Sequence, residues 1–350
     1  MIKSFLRHAL DRSLETKLQS LLPLVQPELQ KVITSETLSR EVLAELFEHR
    51  CCAIRIPNFY PKEMIPIMKD RLLTSPHRTN WKVTDPQRGL ENSNVESIGI
   101  PLAMATTGSN AEEGNVDGMT KYFETARDLT RGLRATNEIN LATTTTATST
   151  ATTATTATST ATTATPAPSP SPSWSSLIMT PIDKLRLELD EEWPGGARVG
   201  RDAKTKQALL AGAGRIMSPT NSNDSGFCHV DDIAIMSNNH GIFSANVYLE
   251  TPPHGCGGEL NIWPIQISNR MEFYNHSASL SLLLTQEQWA QDALRRCLPP
   301  PISITPKPGE LILICAQRPH AVVGFDVGQR ISMQTFVESK GVQKSLILES

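Results

Sequence analysis

Two periodicities divide this chain. In the first part, apolar residues recur at helical spacing; from about residue 215 onward they come in short alternating runs between turns. Leu6, Leu10, Leu14, Leu18, Leu21 and Leu22 suit an N-terminal amphipathic helix. Over 39–49, Val42, Leu43, Leu46 and Phe47 share a face, and Ser39 is placed to cap the start. Residues 51–56 read as a short strand, Pro57-Asn58-Phe59 as a turn, and Pro61 as the opening of a helix to about Leu73. The stretch 75–115 is loop-rich, with candidate strands at 81–83 and 97–100. A helix is predicted over 117–134, with Met119, Phe123, Ala126, Leu129 and Leu133 on one side. Another starts at Thr180-Pro181, turns Ile182, Leu185, Leu189 and Trp193 inward, and stops at Pro194-Gly195-Gly196.

After that the period falls to two. Strands are predicted at 215–217, 228–235, 242–250, 259–262, 279–284, 302–305, 310–316, 321–325 and 329–337, punctuated by Pro and Gly. Short strands at this spacing predict a mainly β protein with flanking helices, built on a sandwich or jelly-roll core. Residues 142–173 break the pattern: they are Ala, Thr, Ser and Pro, with no large apolar group to bury. They read as a disordered insertion in a loop. A long loop costs only logarithmically in closure entropy, so the helices on either side are expected to meet across it. The expected organisation is helices and strands over 1–141 packing on a core over 174–350, as one integrated domain.

Composition narrows the class. A net charge of −3 and a pI near 6.3 give no basic footprint, which argues against nucleic acid as a partner. The apolar run at 280–284 is core-sized and no run reaches membrane length. The N-terminus lacks the apolar centre of a signal peptide. A cytoplasmic protein is expected, an organellar presequence being the alternative. Six cysteines without Cys-x-x-Cys spacing read as reduced thiols, Cys228 among them as a packed thiol.

The chemistry concentrates in Gly226-Phe227-Cys228-His229-Val230-Asp231, Pro319-His320 and Gln329-Arg330-Ile331-Ser332. Positions i and i+2 of a strand point to one face, so His229 and Asp231 are expected to reach one ion together while Val230 turns away. With His320 they make two imidazoles and one carboxylate, the facial triad of non-haem iron sites. Asp232 is expected on the opposite face. Arg330 presents a planar fork suited to a carboxylate, and Ser332 follows on its face.

In the order of these pieces, with Gly257-Gly258-Glu259-Leu260 and Pro306-Lys307-Pro308-Gly309-Glu310-Leu311 between them, residues 215–337 resemble the Fe(II)/2-oxoglutarate-dependent dioxygenases. The resemblance implies a double-stranded β-helix, cupin-like core. It implies Fe(II) on His229, Asp231 and His320, with 2-oxoglutarate and dioxygen as co-substrates and ascorbate as a stimulant. Arg330 and Ser332 would hold the far carboxylate of 2-oxoglutarate, and Asn246 or Tyr248 would support its near end. The reaction implied is oxidation of an unactivated C–H bond, releasing succinate and carbon dioxide. Halogenating relatives lack the carboxylate, so Asp231 points to hydroxylation, desaturation or oxidative cyclisation.

The helix leading into "WPGG" resembles oxygenases of free amino acids and their derivatives, algal kainoid synthases among them, which close a ring on an N-prenylated glutamate. That implies a small-molecule substrate with carboxylates, for which Arg55, Arg88, Arg198, Arg201, Arg215 and Lys204 are candidate partners. His240 and His254 are candidates for the site's mouth, or else polar loop residues. Three alternatives stay open: a peptidyl or prolyl-type hydroxylase or an enzyme of lipid-like substrates; a zinc hydrolase, which also accepts two histidines and a carboxylate; and a jelly-roll metal-binding sensor without turnover.

Overall fold

A computed structural model of the chain describes residues 15–85, 89–102, 116–135, 178–220, 226–232, 236–282 and 288–350. Leu6, Leu10, Leu14, Arg88 and the insertion expected at 142–173 lie outside them. In chain order the strands are β1 (Val32–Thr34), β2 (Ala53–Ile56), β3 (Arg78–Asp85), β4 (Gly89–Ile98), β5 (Ala197–Val199), β6 (Ala213–Met217), β7 (His240–Glu250), β8 (Leu260–Ile262), β9 (Ile302–Ile304), β10 (Leu311–Cys315), β11 (His320–Val322), β12 (Arg330–Lys340) and β13 (Leu346–Glu349). The longer helices are α1 (Arg40–Phe47), α2 (Ile65–Leu73), α3 (Val116–Arg134), α4 (Pro181–Glu192), α5 (Arg270–Leu282) and α6 (Gln288–Cys297).

A large sheet runs β1-β2-β10-β7-β12-β6-β4-β3, with β13 joining β12 to β5. A small sheet runs β11-β8-β9 and is extended by a bridge between His229 and His320. From β6 onward the chain passes between the sheets: β6 large, His229 small, β7 large, β8 and β9 small, β10 large, β11 small, β12 large. The resulting orders, β6-β12-β7-β10 facing His229-β11-β8-β9, make a jelly roll, or double-stranded β-helix.

The large sheet is buried on one face by helices. On β7, Phe243, Ala245, Val247 and Leu249 join the main apolar core, as do Ile331, Met333 and Val337 of β12 and Leu311 and Leu313 of β10. Phe47 of α1 sits 4.3 Å from Phe243, ring centre to ring centre. Each of these side chains other than Ala245 contributes about 1.5–3 kcal/mol by leaving water. The other face looks at the small sheet. There Tyr248, Leu260, Ile262, Ile304, Ile312 and Ile314 belong to a second apolar cluster, of which Tyr248, Leu260 and Ile314 line the space between the sheets.

The helices begin where the sequence places their caps. The Ser39 hydroxyl accepts from the Val42 N–H. Thr180 and Asp183 form a reciprocal capping box. Arg134, closing α3, pairs with that same Asp183, and the Ile178 N–H donates to the Arg134 carbonyl at 3.1 Å. The chain therefore leaves α3 and returns to α4 at adjacent points, as loop-closure entropy allows.

Two expected strands differ. The one at 279–284 is helical over its described part, since Ser279 to Leu282 belong to α5. A short apolar run has no readable period, and the burial of Ser279 and Leu280 is helical packing. The one at 228–235 is, over its described part 228–232, an irregular bridged segment: His229 exchanges two backbone hydrogen bonds with His320, and the Asp231 N–H donates to the Ala316 carbonyl. The exposed Leu22 also departs from the N-terminal apolar face, whereas Leu18 and Leu21 are buried.

Candidate metal centre and its cavity

Close backbone approach sets up the site. Gly226 has φ +76°, and a Cβ there would meet the Val322 carbonyl oxygen at 1.8 Å. Only glycine fits so tight a crossing. The segment then runs beside β11, and the paired backbones of His229 and His320 bring their rings to 4.4 Å between centres. Among the described residues, no strand lies along the outer edge of the segment. Instead Gln291 of α6 accepts from the Cys228 N–H at 2.8 Å and donates to the Cys228 carbonyl at 3.0 Å. One side-chain amide thus imitates a ladder partner for the residue before His229. Cys228 is fully buried, and burial pushes its thiol up to about 12.

Both imidazoles are oriented alike. His229 Nδ1 lies 2.9 Å from the Phe227 carbonyl and His320 Nδ1 lies 2.9 Å from the Arg318 carbonyl. A carbonyl only accepts, so each Nδ1 carries a proton and each Nε2 is the atom left to face Asp231 or a metal. The two Nε2 atoms meet Asp231, at 3.6 Å from Oδ1 for His229 and 3.4 Å from Oδ2 for His320. One ligand atom from each residue falls within 4.8 Å of the others, as a single ion requires. Burial pushes the Asp231 carboxyl up, but the His320 and His229 imidazoles outweigh it and hold the group well below the carboxylate range. Burial pushes His320 down, and the Asp231 carboxylate outweighs that in turn. The Phe227 ring stacks on His229 at 5.1 Å, nearly parallel.

These three residues open into a cavity of about 480 Å³ between the sheets. Alternation along the large sheet decides what else lines it. β12 presents Arg330, Ser332 and Gln334, β7 presents Ser244, Asn246 and Tyr248, and β6 presents Arg215 and Met217. Ser332 stands opposite Tyr248 on one side and Arg215 on the other. Arg330 is 7 % exposed; its Nη2 donates to the Tyr248 hydroxyl at 3.0 Å and its Nη1 lies 3.1 Å from Met217 Sδ. Its Nε is buried and has no acceptor among the described residues. A buried guanidinium in that state fits an anionic ligand.

The cavity thus brings His229, Asp231, His320, Arg330, Ser332, Asn246, Tyr248 and Arg215 together. Asp232, His240 and His254 are not among its lining residues. Nor are Arg55, Arg198, Arg201 and Lys204; Arg55 is paired with Glu310 at 2.7 Å instead. The sequence reading missed Gln291, Arg295 and the helix that carries them. The signal was present as Ala290, Ala293, Leu294 and Cys297 at helical spacing.

No protein-family model matches the chain, and no curated protein matches it. Similar solved structures include an N-substituted L-amino acid dioxygenase from Burkholderia ambifaria AMMD, 13% identical, covering 89% of this chain and 91% of that one at a TM-score of 0.48. A 2OG-Fe(II) oxygenase family member from Burkholderia pseudomallei is 12% identical and covers 90% and 99%, at 0.37. A prolyl-4-hydroxylase from Pseudomonas putida is 11% identical and covers 86% and 97%, at 0.32. Likeness this distant assigns no reaction; the residues of the cavity have to do that.

Proposed function

We propose that the chain is an Fe(II)- and 2-oxoglutarate-dependent oxygenase that oxidises a C–H bond of a small molecule. The observation that carries this reading is the convergence of His229, Asp231 and His320 in the same cavity as the buried Arg330 guanidinium. A metal on two imidazoles and one carboxylate keeps coordination positions for other ligands, and Arg330 lies in reach of the same space. His229 Nε2, Asp231 and His320 Nε2 would hold the iron. Arg330 would take the far carboxylate of 2-oxoglutarate, with Ser332 beside it and Tyr248 keeping the guanidinium in place; Asn246 is the further candidate for the co-substrate's near end. Bound iron with 2-oxoglutarate and dioxygen supplies the oxidising power, and succinate and carbon dioxide leave.

The protein's own work is orientation and exclusion of water. The Phe227 and Arg318 carbonyls hold both Nδ1 protons, so each ring arrives with its Nε2 inward. Asp231 stays ionised at neutral pH and supplies the negative ligand. Phe227, Leu260, Ile314, Val322 and Phe325 give the cavity apolar wall. Its volume suits a drug-sized ligand set rather than an extended chain. We take the substrate to be an amino-acid derivative, with hydroxylation, desaturation or oxidative cyclisation, including kainoid-type ring closure, as the outcome. A zinc hydrolase has no use for the Arg330 and Ser332 pair.

The test is succinate release from 2-oxoglutarate by the purified protein, screened against amino acids, N-prenylated glutamates and short peptides. Release that requires Fe(II) and dioxygen and rises with one of these compounds supports the reading. A protein that turns over no 2-oxoglutarate with Fe(II), yet binds zinc tightly, contradicts it.

A further inference from the structure

Building on the metal centre proposed above, we infer that Gln291 is a positioning residue for His229, assisted by Arg295 one turn further along α6. His229 needs such support more than His320 does. Its side chain is 30% exposed against 9% for His320, so packing holds it less firmly. Its ring is tied to the Phe227 carbonyl, within its own segment, and moves wherever that segment moves. Whatever fixes the segment therefore fixes His229 as a ligand.

Among the described residues the segment has three supports. Cys228 and Val230 are buried in the main core. The His229 backbone pairs with His320 on one edge. The opposite edge meets α6. There Gln291, itself 3% exposed, serves both the N–H and the carbonyl of Cys228, and Arg295 donates to the Gly226 carbonyl. The spacings match. Gln291 and Arg295 are four residues apart, about 6 Å along a helix, and share a face. Gly226 and Cys228 are two residues apart, about 6.6 Å in an extended chain. One turn of helix thus spans one strand repeat, and two side chains do the work of a neighbouring strand. The helix is a firm base, because Ala290, Ala293 and Leu294 are buried in the main core and Arg295 stands 3.7 Å from Asp292. Without the Gln291 amide, two buried backbone groups beside a metal ligand lose their partner. The segment can find others only by shifting, and His229 shifts with it.

The experiment titrates the whole chain with Co(II), whose visible absorption reports ligand geometry, and follows thermal unfolding of the metal-free protein alongside. Gln291→Met keeps the bulk of the side chain and removes both hydrogen bonds. It is expected to weaken Co(II) binding roughly tenfold or more and to change the absorption of the bound ion. Arg296→Met, at a half-exposed position of the same helix, should alter neither. Affinity and absorption left intact in folded Gln291→Met, whatever its melting temperature, would mark a purely structural residue and overturn the inference. Should Gln291→Met not fold, Gln291→Glu decides. It keeps the bond from the Cys228 N–H and loses the one to the carbonyl. Weaker Co(II) binding with altered absorption then supports the positioning role, and no loss of affinity overturns it. An unmodified chain that takes up no Co(II) removes the metal centre itself, and the role of Gln291 falls with it; uptake that is indifferent to Gln291 overturns that role alone.

Discussion

On β7, Phe243, Ala245, Val247 and Leu249 point to the helices, while Ser244, Asn246 and Tyr248 point to the cavity. On β12 the same alternation separates Ile331 and Met333 from Arg330, Ser332 and Gln334. One backbone therefore carries two faces of opposite chemistry. The outer face is dry and gains its energy from burial. The inner face carries an arginine whose Nε is buried without an acceptor among the described residues, an arrangement that costs stability until a ligand arrives. The difference teaches that stability and function are divided by residue parity along the same strands. Substitutions on the two faces should fail in different ways.

The sharpest contrast comes from the ligand triad. Ala at Asp231 or at His320 should reduce metal uptake and succinate release to background, while the melting temperature of the metal-free protein stays within a few degrees. Metal content and thermal unfolding measured on one preparation check both halves. The opposite pattern is expected from Phe243→Ala, which should cost about 3–5 kcal/mol in unfolding free energy. Its folded fraction should still take up metal. If Phe243→Ala abolished metal binding in folded protein, the separation of the faces would be wrong.

Acid should also act on the outer face. His49 is buried, stacks near Phe243 and donates Nε2–H toward the Ser237 and His240 carbonyls. Burial, reinforced by the charge of Arg318, holds it down at about 4. Its value in the unfolded chain is near 6.5, so between those values the unfolded chain binds more protons. Stability should fall as pH drops from 6.5 to 4, by up to about 3 kcal/mol from this group. His49→Asn, which tolerates the left-handed backbone at this position (φ 58°), should flatten that slope in denaturant titrations.

The smallest expected effect lies on the inner face. Arg330→Gln should raise the 2-oxoglutarate requirement roughly 10- to 100-fold. The metal-free protein should lose no stability, since a buried charge short of one acceptor is removed. A lower melting temperature with an unchanged 2-oxoglutarate requirement would make Arg330 a structural residue.

Much of this division was legible in the sequence. His229-Val230-Asp231 reads as two inward groups around an apolar one, and Arg330-Ile331-Ser332 repeats that pattern. Helix caps at Ser39 and Thr180 were equally readable, because local hydrogen bonding alone decides them. Other features depended on distant partners. The 279–284 run reads the same as strand or helix, and tertiary packing chose helix. Gln291 reveals its role only when α6 comes to lie beside Cys228, 63 residues away in sequence. The six cationic candidates were indistinguishable by type; alternation along β6 and the register with β12 set Arg215 apart by turning it inward.

The central claim is that the triad and Arg330 serve one ligand set. The most direct measurement is calorimetric titration of 2-oxoglutarate into the protein with and without Mn(II), in the unmodified chain and in Arg330→Gln. We expect one equivalent to bind only when metal is present, and to bind roughly tenfold or more weakly in the variant. Equal binding without metal, or binding indifferent to Arg330, would contradict it.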